Sequence, residues 1–190
     1  AIGFDFGTES GRTLLIDVKT GEELGTCVTP YHHGVMDNVL PNGKKLQNDW
    51  NLQHPQDYLD VLYHSVPKLL RKVEIDPKDI IGIGVDFTSC TMLPLDKNLV
   101  PLCFDDRWKD YPHSWAKLWK HHAAQPEADE ITHLAQRLGA PFLSRYGGKI
   151  SSEWMFPKIL QILREAPEVF EETDLFLEAC DWVTYQLTGS

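Results

Sequence analysis

The sequence predicts a mixed α/β domain, and three observations carry that prediction. The chain opens with short β-type runs separated by glycine-bearing polar turns. An amphipathic helix then leads into the continuous apolar run Ile80 to Val85, a strand–helix–strand crossover. The second half changes to helical periods. Strands first, a crossover between and helices afterwards describe an α/β layer architecture.

Ile2-Gly3-Phe4-Asp5-Phe6 is a short apolar run broken by one carboxylate. Gly7-Thr8-Glu9-Ser10-Gly11 turns it into Arg12 to Asp17, and Lys19-Thr20-Gly21 turns again into Glu22 to Thr29, so the opening reads as an antiparallel meander. Residues 30 to 54 are rich in Pro, Gly, Asn and His without a period, a loop longer than a connector needs. Pro55 opens a helix whose Leu59, Leu62, Val66, Leu69, Leu70 and Val73 share one face, with Pro67 interrupting it. Ile80 to Val85 reads as a fully buried strand ending at Asp86-Phe87-Thr88-Ser89-Cys90-Thr91. Met92 to Leu95 and Val100 to Leu102 flank the turn Asp96-Lys97-Asn98 as a further hairpin. Ser114 to Ala124, Glu127 to Leu138, Met155 to Glu165 and Cys180 to Leu187 are helical by period, with a loop at Gly147-Gly148. Trp115, Leu118 and Trp119 then belong to a core helix face.

Composition bounds the function. The 190 residues suffice for one sizeable domain. Acidic residues number 28 against 18 basic ones, and the net charge of −10 argues against a nucleic-acid partner, which needs a clustered positive surface. The longest apolar stretch is far too short to span a bilayer, and no basic-then-apolar signal segment opens the chain, so no membrane partner is expected. Cysteines at 27, 90, 103 and 180 form no C-x-x-C, the pattern of a reduced cytoplasmic protein. Both ends look cut from a longer chain, and a homodimer is left open.

The first candidate for chemistry is Asp5 to Arg12. Two glycines in a hairpin turn expose backbone amides to an anion, Thr8 and Ser10 add hydroxyls, and Arg12 adds a permanent cation. Asp5, at a strand end, is placed to hold Mg²⁺ through water, because magnesium takes oxygen ligands and keeps several waters. A plain hairpin with a surface Asp and Arg has the same composition. The second candidate is Thr88, Ser89 and Cys90, because ligands of open α/β sheets gather outside the carboxyl ends of strands. The third is Glu153-Trp154, a carboxylate beside an aromatic plate that suits a sugar; a helix-start carboxylate and a core tryptophan fit equally. The pairs His32-His33 and His121-His122 are adjacent and do not converge on one metal. Gly147-Gly148-Lys149 lacks P-loop spacing, and Gly82-x-Gly84 lacks the third glycine of a dinucleotide fingerprint.

Asp-Phe-Gly-Thr-Glu-Ser-Gly-Arg at residues 5–12 resembles the phosphate hairpin of the FGGY carbohydrate kinases. The likeness extends through His54 to Tyr58, Ile81 to Thr88, Lys117 to His122 and Tyr146 to Trp154, where it is strongest to the bacterial members that phosphorylate L-ribulose. It implies the N-terminal domain of the actin/hexokinase-like (ribonuclease H-like) ATPase fold, a mixed sheet with flanking helices. It also implies ATP and Mg²⁺ as cofactors, and L-ribulose or a related ketose or polyol as the small-molecule partner. The implied reaction gives ADP and L-ribulose 5-phosphate, the kinase step of arabinose catabolism. Asp5, Gly7, Thr8, Ser10 and Arg12 would face nucleotide phosphate and metal, while Thr88, Ser89, Cys90, Glu153 and Trp154 would line the sugar. The family's catalytic base lies beyond residue 190, as does the nucleotide-binding domain, so residues 1–190 alone are expected to be inactive. Two other readings stand beside this one: a different polyol or ketose kinase of the family, and an actin-like ATPase module without a sugar acceptor.

Overall fold

In the computed structural model, which describes residues 1–189, the elements run in order β1 (Ile2–Phe6), β2 (Ser10–Ile16), β3 (Glu23–Pro30), β4 (Leu52–Gln53), α1 (Pro55–Asp60), α2 (Val66–Val73), β5 (Ile83–Phe87), β6 (Met92–Leu95), β7 (Ala116–Lys117), α3 (Gln125–Arg137), α4 (Met155–Glu165), α5 (Pro167–Glu172), β8 (Leu175–Glu178) and α6 (Ala179–Thr188). They gather into two compact units rather than one. The first takes residues 1–35, 54–89 and those from 179 onward; the second takes 36–53 and 90–178.

The first unit is built on a sheet of order β3-β2-β1-β5. The meander read from the sequence is present: β1 pairs antiparallel with β2, and β2 with β3. After the crossover through α1 and α2, β5 returns parallel to β1. Alternation then sorts the side chains. Ile2, Phe4, Phe6, Thr13, Leu15 and Cys27 are buried on one face, whereas Gly3, Asp5, Arg12 and Leu14 point to the other. The buried face lies against the helices. Phe6, Tyr58 and Phe87 form an aromatic trio, with Phe6 and Phe87 stacked at 5.1 Å.

The helix after Pro55 is interrupted as Pro67 requires, but one turn earlier. A π-helical turn, Val61–Ser65, separates α1 from α2, and Pro67 falls in the first turn of α2, where no amide donor is needed. Gly11 lies directly under this turn. A Cβ there would sit 2.4 Å from one methyl of Val61 and 2.7 Å from the other. Gly11→Ala is therefore expected to lower unfolding free energy by about 1–3 kcal/mol through overpacking, with Val61→Ala restoring part of it; chemical denaturation measures both.

The run Ile80 to Val85 does not form the fully buried strand that its composition suggested. Ile81 and Ile83 are 74% and 55% exposed. The strand is an edge strand, paired with β1 on one side, and among the described residues nothing pairs with its other side. Continuous apolar character marks burial only where both faces of a parallel strand are covered.

His54 caps α1: its Nδ1 accepts the Gln56 amide at 3.1 Å, so this nitrogen must stay unprotonated. The ring stacks on His33 at 4.0 Å, and His33 Nδ1 lies 2.8 Å from the buried Asp57 carboxylate. Burial first, then His33, lowers the His54 pKa to about 4. Between pH 6.5 and about 4 the unfolded chain binds this proton and the folded chain does not, so stability falls as pH falls through that window. The loss is on the order of 1–2 kcal/mol after allowance for partial exposure. His54→Asn, which keeps a capping acceptor, is expected to match the wild type at pH 7 and to flatten the melting-temperature slope between pH 4 and 6.5.

The second unit carries a sheet of order β4-β7-β6-β8. The stretch Ser114 to Ala124 is not the helix its spacing suggested. It is a short 3₁₀ turn, Pro112–Ser114, followed by β7, which lies between β4 and β6. Ala116, Lys117 and Leu118 are all fully buried, a pattern that a one-sided helix cannot give. Trp115 is core, whereas Trp119 is 38% exposed. The expected hairpin after Met92 shrinks to one bridge, Leu95 to Pro101, because Asp96 folds its carboxylate onto the Asn98 and Val100 amides. The long partner of β6 is instead β8. The three remaining helical readings appear as α3, α4 and α6. Two apolar clusters hold the unit, one around Met36, Trp50, Leu52 and Trp115, the other around Met92, Leu102, Ile162 and Val169.

Candidate sugar and phosphate site

The topology of the first unit places two of the three candidate segments together. Because β1 and β5 run parallel and in register, Phe6 opposite Phe87, the hairpin after β1 and the residues after β5 leave the sheet at the same end. The Thr88 amide donates to the Phe6 carbonyl at 3.1 Å, extending the ladder into both loops. Gly7, Thr8, Ser10, Thr88 and Ser89 thus share the carboxyl end of neighbouring parallel strands. The hairpin is closed by the Gly7 amide on the Ser10 carbonyl at 3.0 Å, and a Cβ at Gly7 would lie 3.1 Å from that carbonyl. Asp5 and Arg12 face each other across it, carboxylate to guanidinium at 2.9 Å, both about half-exposed. Asp86 stands opposite Asp5 on the same face. The sequence reading missed Tyr31, whose amide donates to the Glu9 carbonyl of the hairpin. Its hydroxyl is buried and unpartnered among the described residues, and burial, then Asp57 and Asp5, push its pKa up.

Cys90, Glu153 and Trp154 belong to the second unit. Cys90 holds a left-handed backbone, φ 63°, a strained conformation for a residue with a side chain. Its carbonyl accepts from the ammonium of Lys158, a residue that the sequence reading did not single out. Lys158 is fully buried on α4, and its Nζ also donates to the Leu118 carbonyl at 2.9 Å. One ammonium therefore ties the Cys90 loop to the turn that follows β7. Burial lowers the Lys158 pKa to about 8, against the upward pull of Cys90, Glu178 and Glu153. A signal was present in the sequence: Met155, Lys158, Ile159 and Ile162 form one helical stripe, so Lys158 occupies a core position.

Glu153 and Trp154, adjacent in sequence, go to different places. The Glu153 carboxylate lies 3.4 Å from His122 Nε2. Trp154 lies beside Tyr146, ring centroids 4.9 Å apart and planes tilted by 56°, and lines a cavity of about 570 Å³ with Cys90, Ile131, Phe142, Phe156 and Glu178. Below lies a buried polar network. His121 Nδ1 accepts the Asn51 amide, so its Nε2 carries the proton and donates to Gln161 at 3.0 Å. Lys117 sits over the Trp50 ring at 4.0 Å, and burial holds its pKa well below the ordinary lysine range. Among the described residues no cluster of three His, Cys, Asp or Glu side chains could hold a metal.

Residues 1–190 match the N-terminal domain of the FGGY family of carbohydrate kinases over their whole length. The chain belongs to this family. A ribulokinase from Shouchella clausii is 58% identical over 190 residues, all of this chain and 34% of that protein. One from Geobacillus thermodenitrificans is 57% identical over 189 residues, 99% of this chain and 33% of that protein. The FGGY chain thus spans about a third of the length of the curated relatives it matches. Among solved structures, a xylulose kinase from Rhodospirillum rubrum superposes with TM-score 0.74 at 19% identity, over 99% of this chain and 34% of the other. A gluconate kinase from Lactobacillus acidophilus does so with TM-score 0.74 at 17% identity, over 100% and 33%. These structures share the fold, the mixed sheet with flanking helices that the hairpin motif implied.

Proposed function

We propose that this FGGY chain is the N-terminal third of an ATP-dependent ribulokinase that converts L-ribulose to L-ribulose 5-phosphate. The observation that carries the reading is the shared carboxyl end of β1 and β5. It sets the phosphate-type hairpin beside Thr88 and Ser89, so that one sheet edge offers groups for both a phosphate and an acceptor hydroxyl.

The residues present fit Mg-ATP. Asp5 is an accessible oxygen donor of the kind magnesium takes, Arg12 is an accessible cation, and a side chain at Gly7 would press on the Ser10 carbonyl that closes the turn. Bound Mg-ATP supplies the phosphoryl group and neutralises charge that develops on it. Asp5 and Arg12 orient that end. Thr88, Ser89, Cys90, Glu153 and Trp154 are the residues that the family resemblance assigns to the sugar. The base that takes the hydroxyl proton and the second domain that excludes water come from beyond residue 190, so the isolated chain does not turn over.

ADP release by the full-length kinase with L-ribulose, D-ribulose, D-xylulose and glycerol tests this. Strong stimulation by L-ribulose is the expected result. ATP hydrolysis indifferent to sugar would replace the reading with an actin-like ATPase, and preference for another acceptor would move it elsewhere among the family's ketose and polyol kinases.

A further inference from the structure

We propose that His122 is a specificity-determining residue for the acceptor sugar, acting with the neighbouring Glu153 as a polar pair. The proposal rests on the ribulokinase reading above and adds to it a residue that adjacency alone had consigned to packing.

The two neighbouring histidines are sorted by the chain after β7. His121 turns inward, fully buried, with both ring nitrogens engaged by Asn51 and Gln161. His122 turns outward, half-exposed, and its Nδ1 has no partner among the described residues. Its backbone is fixed on every side. The amides of His122 and Ala123 donate to the Asp49 carbonyl, the Asn51 side chain donates to the Lys120 carbonyl, and Lys158 holds the Leu118 carbonyl. Glu153 is fixed as well, since its amide bonds the Ser151 hydroxyl just before α4. A surface ion pair between two floppy side chains would contribute little. Here two anchored loops present an imidazole and a carboxylate 3.4 Å apart, and the same Lys158 ammonium anchors Cys90 and the turn carrying His122.

The chemistry favours a polyhydroxylated ligand. A carboxylate only accepts, an imidazole nitrogen can donate or accept, and a hydroxyl does both. The half-exposed pair therefore offers an imidazole and a carboxylate side by side to neighbouring hydroxyls. A pentulose has neighbouring hydroxyls to satisfy both; glycerol, held by its phosphorylated end, has fewer. The 570 Å³ cavity on the Trp154 side is lined mainly by apolar groups such as Ile131, Phe142, Met155 and Phe156, with Glu178 and Tyr146 as its polar exceptions, and the His122–Glu153 pair adds polar groups that are not part of that lining.

The test uses the full-length kinase with His122→Phe, His122→Gln, Glu153→Gln and the double variant His122→Phe/Glu153→Gln. His122→Phe keeps bulk and removes hydrogen bonding. It is expected to raise KM for L-ribulose ten- to hundredfold, with kcat within threefold and KM for ATP unchanged. His122→Gln, which restores a donor toward Glu153, recovers most of the loss. Glu153→Gln raises KM similarly, and the double variant adds little to either, the signature of a coupled pair. Activity on glycerol stays level, so discrimination between the two acceptors narrows. If the wild type phosphorylates L-ribulose and His122→Phe keeps its KM and sugar ranking, His122 is a surface contact and the proposal is overturned while the ribulokinase reading stands. If the wild type shows no sugar-stimulated ADP release, both fall.

Discussion

Asp5→Asn is expected to reduce kcat of the full-length kinase about a thousandfold, some 4 kcal/mol of transition-state stabilisation, while leaving the fold intact. The reasoning separates stability from chemistry. The Asp5–Arg12 pair is half-exposed, and such pairs contribute at most about 1 kcal/mol to folding, so the melting temperature should move by only a few degrees. The carboxylate is nevertheless the accessible oxygen donor at the mouth of the hairpin, directly opposite Arg12 and next to Asp86. Its neutral amide replacement would hold a divalent cation poorly and leave the Arg12 charge unbalanced. Saturation with Mg²⁺ should consequently require a higher concentration in the variant. Steady-state ADP release with a magnesium titration, beside a thermal melt, reads both quantities. Activity within tenfold of the wild type would remove Asp5 from the phosphate end and return the hairpin to a structural turn.

The legibility of this chain in its sequence followed the range of the interactions. The meander was readable because Gly7 and Gly21 mark turns locally, and α3 and α4 because their periods run over several turns. What depends on distant partners was not readable. Nothing near Ile83 says whether another strand lies beyond it, so an edge strand was taken for a buried one. Trp115, Leu118 and Trp119 fall at helical spacing by coincidence, while β4 and β6, far away in the chain, hold their neighbourhood extended. For the site, the hairpin residues and the loop after β5 were legible from glycine, hydroxyl and strand-end position. Their convergence follows from the parallel register of β1 with β5, which only the crossover creates. Glu153 and Trp154 were read as one plate and carboxylate, yet the start of α4 sends them apart, one to His122 and one to the apolar cavity.

Lys158→Met should be the most damaging substitution in the second unit, lowering unfolding free energy by about 2–4 kcal/mol and kcat/KM for the sugar at least a hundredfold. Methionine fills much the same volume, so no cavity is made and the effect isolates the ammonium. Removing it takes a buried charged donor from the carbonyls of Cys90 and Leu118, the second of which keeps the His121 amide. The stability term is the loss of these buried, charge-assisted hydrogen bonds. The activity term has a separate origin. The left-handed backbone at Cys90 is strained, and strain of this kind persists only while the surroundings impose it. Without the ammonium, that loop can relax out of the shape the proposed sugar site requires, and an error of about 1 Å in such positioning costs roughly two orders of magnitude in rate. Lys158→Arg offers no rescue, because a larger forked guanidinium does not fit a fully enclosed position. Chemical denaturation and sugar kinetics on the same preparation separate the two terms. A Lys158→Met protein that melts with the wild type and keeps its KM for L-ribulose would show that the two loops hold their shape without the lysine between them.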